Sequence, residues 1–106
     1  MATLKALIVD PDGTTRETEI ENSLATFQAV VEGYIEPVYA RVGTIYVNEE
    51  GLLRGLPFNP RATVFARRIL GELINLVGTA LIVGPADTEG NDTDVRPAVV
   101  DYFKEN

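Results

Sequence analysis

The chain has 106 residues, a formal net charge of −7, no cysteine and no histidine. That length suits one domain with one core, and the missing residue types exclude disulfides, thiolate metal sites and any serine–histidine triad. The charge is uneven, −6 over residues 1–50, +3 over 51–86 and −4 over 87–106, and an acidic body with a basic middle excludes general nucleic-acid binding, which needs a broad basic footprint.

Met1–Lys5 lacks the basic start and sustained apolar run of a secretory signal. Leu4–Val9 is apolar and predicts a buried strand. Asp12-Gly13 predicts a tight two-residue hairpin, whose central positions both want positive φ. Thr15–Ile20 returns as a polar strand suited to a sheet edge. Asn22 or Ser23 caps a helix whose buried stripe is Leu24, Phe27, Val30 and Val31, with Gly33 as its left-handed end. Tyr34–Ala40 and Gly43–Asn48 predict two more strands, with Pro37 marking a bulge or an edge.

Residues 48–60 follow, with two glycines and two prolines between an apolar strand and an apolar helix. Leu52, Leu53 and Leu56 are expected to pin this loop to the core, and Glu49 and Glu50 to be solvated at a strand end. Asn59-Pro60 reads as N-cap and first helical residue. Ala62, Phe65, Ala66 and Ile69 supply that helix's apolar face, and Gly71 interrupts it before a turn through Leu76. Thr79–Val83 is a central strand, Pro85–Asp94 a polar loop, and Pro97–Lys104 a short helix with Val99 and Phe103 one turn apart. No apolar run approaches the length of a membrane span; Ala80–Val83 is typical. The prediction is a single α+β domain over residues 1–106, ordered β-β-α-β-β-α-β-α. Its antiparallel or mixed sheet has about five strands, with helices on one face.

Four constellations suggest chemistry. Asp10-Pro11-Asp12-Gly13-Thr14 after an apolar strand looks like the first motif of haloacid-dehalogenase-type phosphatases, with one aspartate as nucleophile and the next as acid/base. A hairpin explains the same residues, and the strand returning at Thr15 contradicts the phosphatase topology. Asp87–Asp94 is an acidic loop of the kind that attracts Ca²⁺, but Gly90 sits fourth and no glutamate closes a twelve-residue loop. Tyr34, Tyr39 and Tyr46 fall on neighbouring strands, as a base-stacking platform or as half-buried sheet residues. The fourth set is basic. Arg61 and Arg68 share a helix stripe, Arg67 lies one position round, and Arg54 and Gly55 stand in the loop before Asn59 at the helix start. A helix N-terminus flanked by arginines favours a phosphate, a nucleotide or an acidic protein patch. Alternatively these arginines pair with nearby acids or cover apolar surface with their stems.

Three segments carry a family resemblance: Glu32-Gly33-Tyr34-Ile35-Glu36-Pro37-Val38-Tyr39, Asn48-Glu49-Glu50-Gly51-Leu52-Leu53-Arg54-Gly55-Leu56-Pro57-Phe58-Asn59 and Val77-Gly78-Thr79-Ala80-Leu81-Ile82-Val83-Gly84. Together they resemble DUF3846, a domain of unknown function, over nearly the whole chain. The resemblance implies a small protein of phages, plasmids and other mobile elements, or of bacteria hosting them. It implies no catalytic residue set. The expectation is a cytoplasmic, cofactor-free, non-catalytic accessory protein that binds a host component, in host takeover or against a defence system. The alternative is a binder of a small anionic ligand, a nucleotide or other phosphate, at Arg54, Gly55, Asn59, Arg61, Arg67 and Arg68. No membrane partner is expected, and self-association through an open sheet edge is plausible.

Overall fold

The computed structural model describes residues 2–105. Strand β1 (Thr3–Val9) and strand β2 (Thr15–Glu21) form a hairpin with Val9 opposite Thr15 and Thr3 opposite Glu21. The turn is longer than the two residues expected. Gly13 N–H donates to the Asp10 carbonyl at 3.0 Å, Asp10 N–H donates to the Thr14 carbonyl at 2.9 Å, and only Gly13 has positive φ, 93°. Pro11 is the reason: its ring fixes φ near −65°, which selects an ordinary turn followed by one left-handed residue.

Helix α1 (Leu24–Val31) is capped by Ser23, whose hydroxyl accepts from Thr26 N–H at 3.2 Å. Its stripe is narrower than expected: Phe27 and Val31 are buried, and Leu24 is exposed. Glu32, not Gly33, takes the left-handed end at φ 64°. Strands β3 (Ile35–Ala40) and β4 (Gly43–Asn48) pair next, followed by helix α2 (Pro60–Leu70), strand β5 (Ala80–Val83) and helix α3 (Pro97–Glu105). The element order is the predicted one. The five strands form one antiparallel sheet, ordered β2-β1-β5-β4-β3, so β5 enters last and joins the two hairpins.

One expectation is corrected. The helices do not share a face: Phe27 and Val31 of α1 pack on Ala6, Ile8, Tyr46, Leu81 and Val83, whereas α2 and α3 pack on Leu7, Val9, Ile45, Val47 and Ile82. The central strands force this. Ala6–Val9, Ile45–Val47 and Ala80–Val83 are buried at consecutive positions, so both sides of the sheet are apolar and both need cover. Among the described residues no helix is long and apolar enough to cross a membrane.

Candidate functional site

Residues 48–60 connect the two sides of the sheet. Asn48 is buried at the end of β4, and its amide donates to the carbonyls of Val31 (3.1 Å) and Glu32 (3.2 Å) while accepting from Glu50 N–H (2.8 Å). Arg54 reaches the same helix end, donating from Nη1 to the Glu32 carbonyl at 2.7 Å. The loop thus satisfies carbonyls that α1 leaves open at its C-terminus. Gly33 is needed here for space: a Cβ would lie 2.6 Å from Asn48 Nδ2 and 3.2 Å from Arg54 Nη1. Within the loop, Arg54 N–H donates to the Glu50 carbonyl (2.9 Å), Gly55 N–H to Leu52 (3.2 Å) and Leu56 N–H to Gly51 (2.9 Å), so the backbone is a wound turn closed by Gly55 at φ 66°.

The far end of the segment is fastened just as firmly. Asn59 is fully buried. Its amide donates to the Val9 and Gly78 carbonyls, both at 2.9 Å, and its Oδ1 accepts from Ala62 N–H at 3.1 Å. It is therefore cap and cross-brace together, and no ligand can reach it. Pro60 has no N–H and Asn59 takes that of Ala62, so the anion-binding end that the sequence suggests is largely closed.

The arginines divide. Arg61 donates to the Gly13 carbonyl at 2.9 Å and, by a second short bond, to the Phe103 carbonyl, and its guanidinium lies 5.3 Å from the Phe103 ring. Arg67 turns the other way, to the Ile74 carbonyl (2.9 Å) and the Asn75 side chain. Arg68 has no hydrogen-bond partner among the described residues and rests 5.8 Å from the Tyr102 ring. Arg61 and Arg68 do share a shallow groove of about 290 Å³ between α2 and α3, floored by Val64, Tyr102 and Phe103. Arg54 and Gly55 are not part of it.

What sequence reasoning missed faces outward. Leu52 and Leu53 are 79% and 89% exposed, and Leu73 is 93% exposed. Of the loop leucines only Leu56 turns inward, against Gly51 and Gly78. Beside the exposed pair runs a groove of about 450 Å³ lined by Glu36, Val38, Leu52, Leu53, Ile74 and Leu76. Its two walls are the turn just described and the strap of residues 71–77. The strap is held by Arg67 on Ile74 and by buried Thr63, whose hydroxyl accepts from Leu76 N–H at 2.9 Å. Glu49 lines the same groove, and with Glu50, Tyr34 and Leu53 it also lines an adjoining hollow. The carboxylates of Glu36, Glu49 and Glu50 have no ion pair or hydrogen bond among the described residues. The signal for the site was the pair Leu52-Leu53 itself, two large apolar side chains in a loop bounded by Gly51 and Gly55.

The remaining constellations are structural. Asp10 accepts from the Thr79 hydroxyl at 2.8 Å and lies 3.7 Å from Arg16. Asp12 accepts from the Thr14 hydroxyl (2.7 Å) and N–H (2.9 Å), and these bonds, the hydroxyl first, hold its carboxyl below the usual range. With β2 a strand, the phosphatase topology is absent. Asp87 closes its own loop by accepting from the N–H groups of Asn91 and Glu89, both at 2.9 Å, which lowers its pKa. No group of three or more acidic residues gathers to hold a metal among the described residues. Tyr46 is buried against Phe27, ring centroids 5.1 Å apart, and donates to Asp92 at 2.8 Å. Burial, then the Asp92 bond, pushes its phenol well above the ordinary value. Tyr34 and Tyr39 are exposed, so the three tyrosines do not form a platform.

A family model described as Domain of unknown function (DUF3846) matches residues 4–106. No curated protein and no solved structure matches the chain.

Proposed function

This chain belongs to the DUF3846 family, and we propose that it is a non-catalytic accessory protein that docks a partner protein on the turn of residues 49–56. One observation carries the reading: Leu52 and Leu53 stand 79% and 89% exposed on a backbone fixed from both ends. Single exposed leucines are ordinary. Two together on a wound turn, beside a groove with an apolar floor, make a patch of the kind that marks interaction sites. The mobile-element setting that the resemblance implies makes a component of a host cell the expected partner.

A photo-crosslinking residue placed at Leu52 or Leu53 tests this in cells. The expected result is a discrete protein adduct from those positions and none from Leu24, which is exposed on α1. No adduct from the loop, or the same adducts from Leu24, overturns the reading.

A second reading, a small phosphate-bearing ligand between α2 and α3, is favoured only by Arg68, whose guanidinium has no acceptor among the described residues. Thermal stabilisation by inorganic phosphate or a nucleotide, abolished by Arg68→Ala, would support it. An unchanged melting temperature removes it.

A further inference from the structure

Resting on the docking reading, we infer that the docked segment is basic and amphipathic: aliphatic anchors fill the groove beside Leu52 and Leu53, and lysine or arginine side chains meet Glu36, Glu49 and Glu50. Three features converge. First, the floor of the groove is aliphatic, with Val38, Ile74 and Leu76, so it takes apolar side chains. Second, the acidic residues at this site have no ion pair among the described residues. Arg54, the one basic residue in the turn, is directed to the Glu32 carbonyl at the end of α1, and Arg67, the nearest on α2, is directed to Ile74 and Asn75. Glu36, Glu49 and Glu50 therefore keep carboxylates that no ion pair engages among the described residues, on a chain whose net charge is already −7. Such an acidic rim raises the on-rate and selectivity for positive partners more than it raises total affinity.

Third, the other occupants fit poorly. A second copy meeting this face about a two-fold axis would bring the patch that carries Glu36, Glu49 and Glu50 against the same patch of its mate, acidic surface on acidic surface. An added strand is also disfavoured. β3 is the sheet edge beside the groove, and Pro37 at its middle removes a backbone donor. Recognition thus proceeds through side chains seated in a groove.

Selection of a random-peptide library on the intact protein tests the inference, with binding of the enriched peptides then measured by fluorescence anisotropy. Aliphatic anchors flanked by Lys or Arg are expected. Affinity should fall by about tenfold or more in the triple variant Glu36→Lys, Glu49→Lys, Glu50→Lys. It should also weaken with salt on the unaltered protein, because exposed charge pairs are screened beyond about 10 Å at 0.1 M. Leu52→Ser with Leu53→Ser should abolish binding. Melting curves confirm that the variants fold, and the salt series needs no variant. Peptides that need Leu52 and Leu53 but ignore both charge reversal and salt overturn the inference and leave the docking reading standing. Peptides indifferent to Leu52 and Leu53, or none at all, overturn both. A wild-type dimer in sedimentation that Leu52→Ser with Leu53→Ser dissolves overturns the inference in favour of a second copy.

Discussion

Two short stretches of this molecule reverse the usual division between charged surface and apolar core. On and before α2, Arg54, Arg61 and Arg67 each direct a guanidinium at a main-chain carbonyl: Glu32, Gly13 with Phe103, and Ile74. In the turn of residues 49–56, and again at Leu73, leucines point into water. The arginines are the more conspicuous ligand-binding residues, yet each is already held by the chain through one or two of its donors. The leucines look like core, yet they gain nothing from the fold. A binding surface is made of groups that folding leaves unsatisfied, and on the proposed docking reading those are leucine side chains and three glutamates with no ion pair among the described residues.

If that contrast is right, removing the inward groups should damage the fold, and removing the outward ones should damage only binding. Asn59→Ala should cost the most. It removes the α2 cap, worth about 1 kcal/mol, and leaves the buried Val9 and Gly78 carbonyls without their donor, a further ~1–3 kcal/mol. A loss of about 3 kcal/mol in urea unfolding is expected, and a loss below about 1 kcal/mol would contradict the bracing role. Arg61→Ala should follow at about 1.5 kcal/mol, as a half-buried charged donor serving two carbonyls. Arg68→Ala, which loses only a ring contact, should stay within about 0.5 kcal/mol. Equal costs for the two arginines would erase the distinction between them.

The sequence made the scaffold legible through local signals. The strand pattern, the Ser23 and Asn59 caps and Pro60 at the helix start each act within a few residues, and the element order followed from them. The presence of helices on both faces was also written there, in the consecutive buried residues of β1, β4 and β5, but periodicity alone does not separate a strand buried on both sides from one buried on one side. The site was less legible because its logic is long-range. Asn48 and Arg54 serve a helix end formed by residues 31 and 32, and Arg61 serves Gly13 and Phe103. No spacing rule predicts such partners. Until they are known, an arginine looks free and a leucine looks buried.

The outward half of the contrast predicts a small number. Leu52→Ser with Leu53→Ser should change stability by no more than about 0.5 kcal/mol, the range of ordinary surface substitutions. A loss of about 2 kcal/mol or more would mean the leucines are packed in solution, and the docking reading would lose its premise.

The smallest effect tests whether polar groups at the β1–β2 turn are satisfied as locally as those of α2. Asp12 is fully exposed, so its lowered pKa comes from bonds to the charged carboxylate and not from burial: the Thr14 hydroxyl first, then the Thr14 N–H. The sign follows from linkage. A folded pKa below the unfolded value of about 3.9 adds stability that is complete above that pH, and that is lost as the pH falls through it towards the folded pKa. Thr14→Val deletes the hydroxyl and keeps the N–H, so the Asp12 midpoint in a side-chain carboxylate NMR titration should move part of the way up. Asp87 serves as the internal control. Its pKa is lowered chiefly by main-chain N–H groups in a different loop, which Thr14→Val leaves in place. A midpoint for Asp12 that does not move, or one that moves together with Asp87, would show that the turn is not held by the hydroxyl bond that its geometry displays.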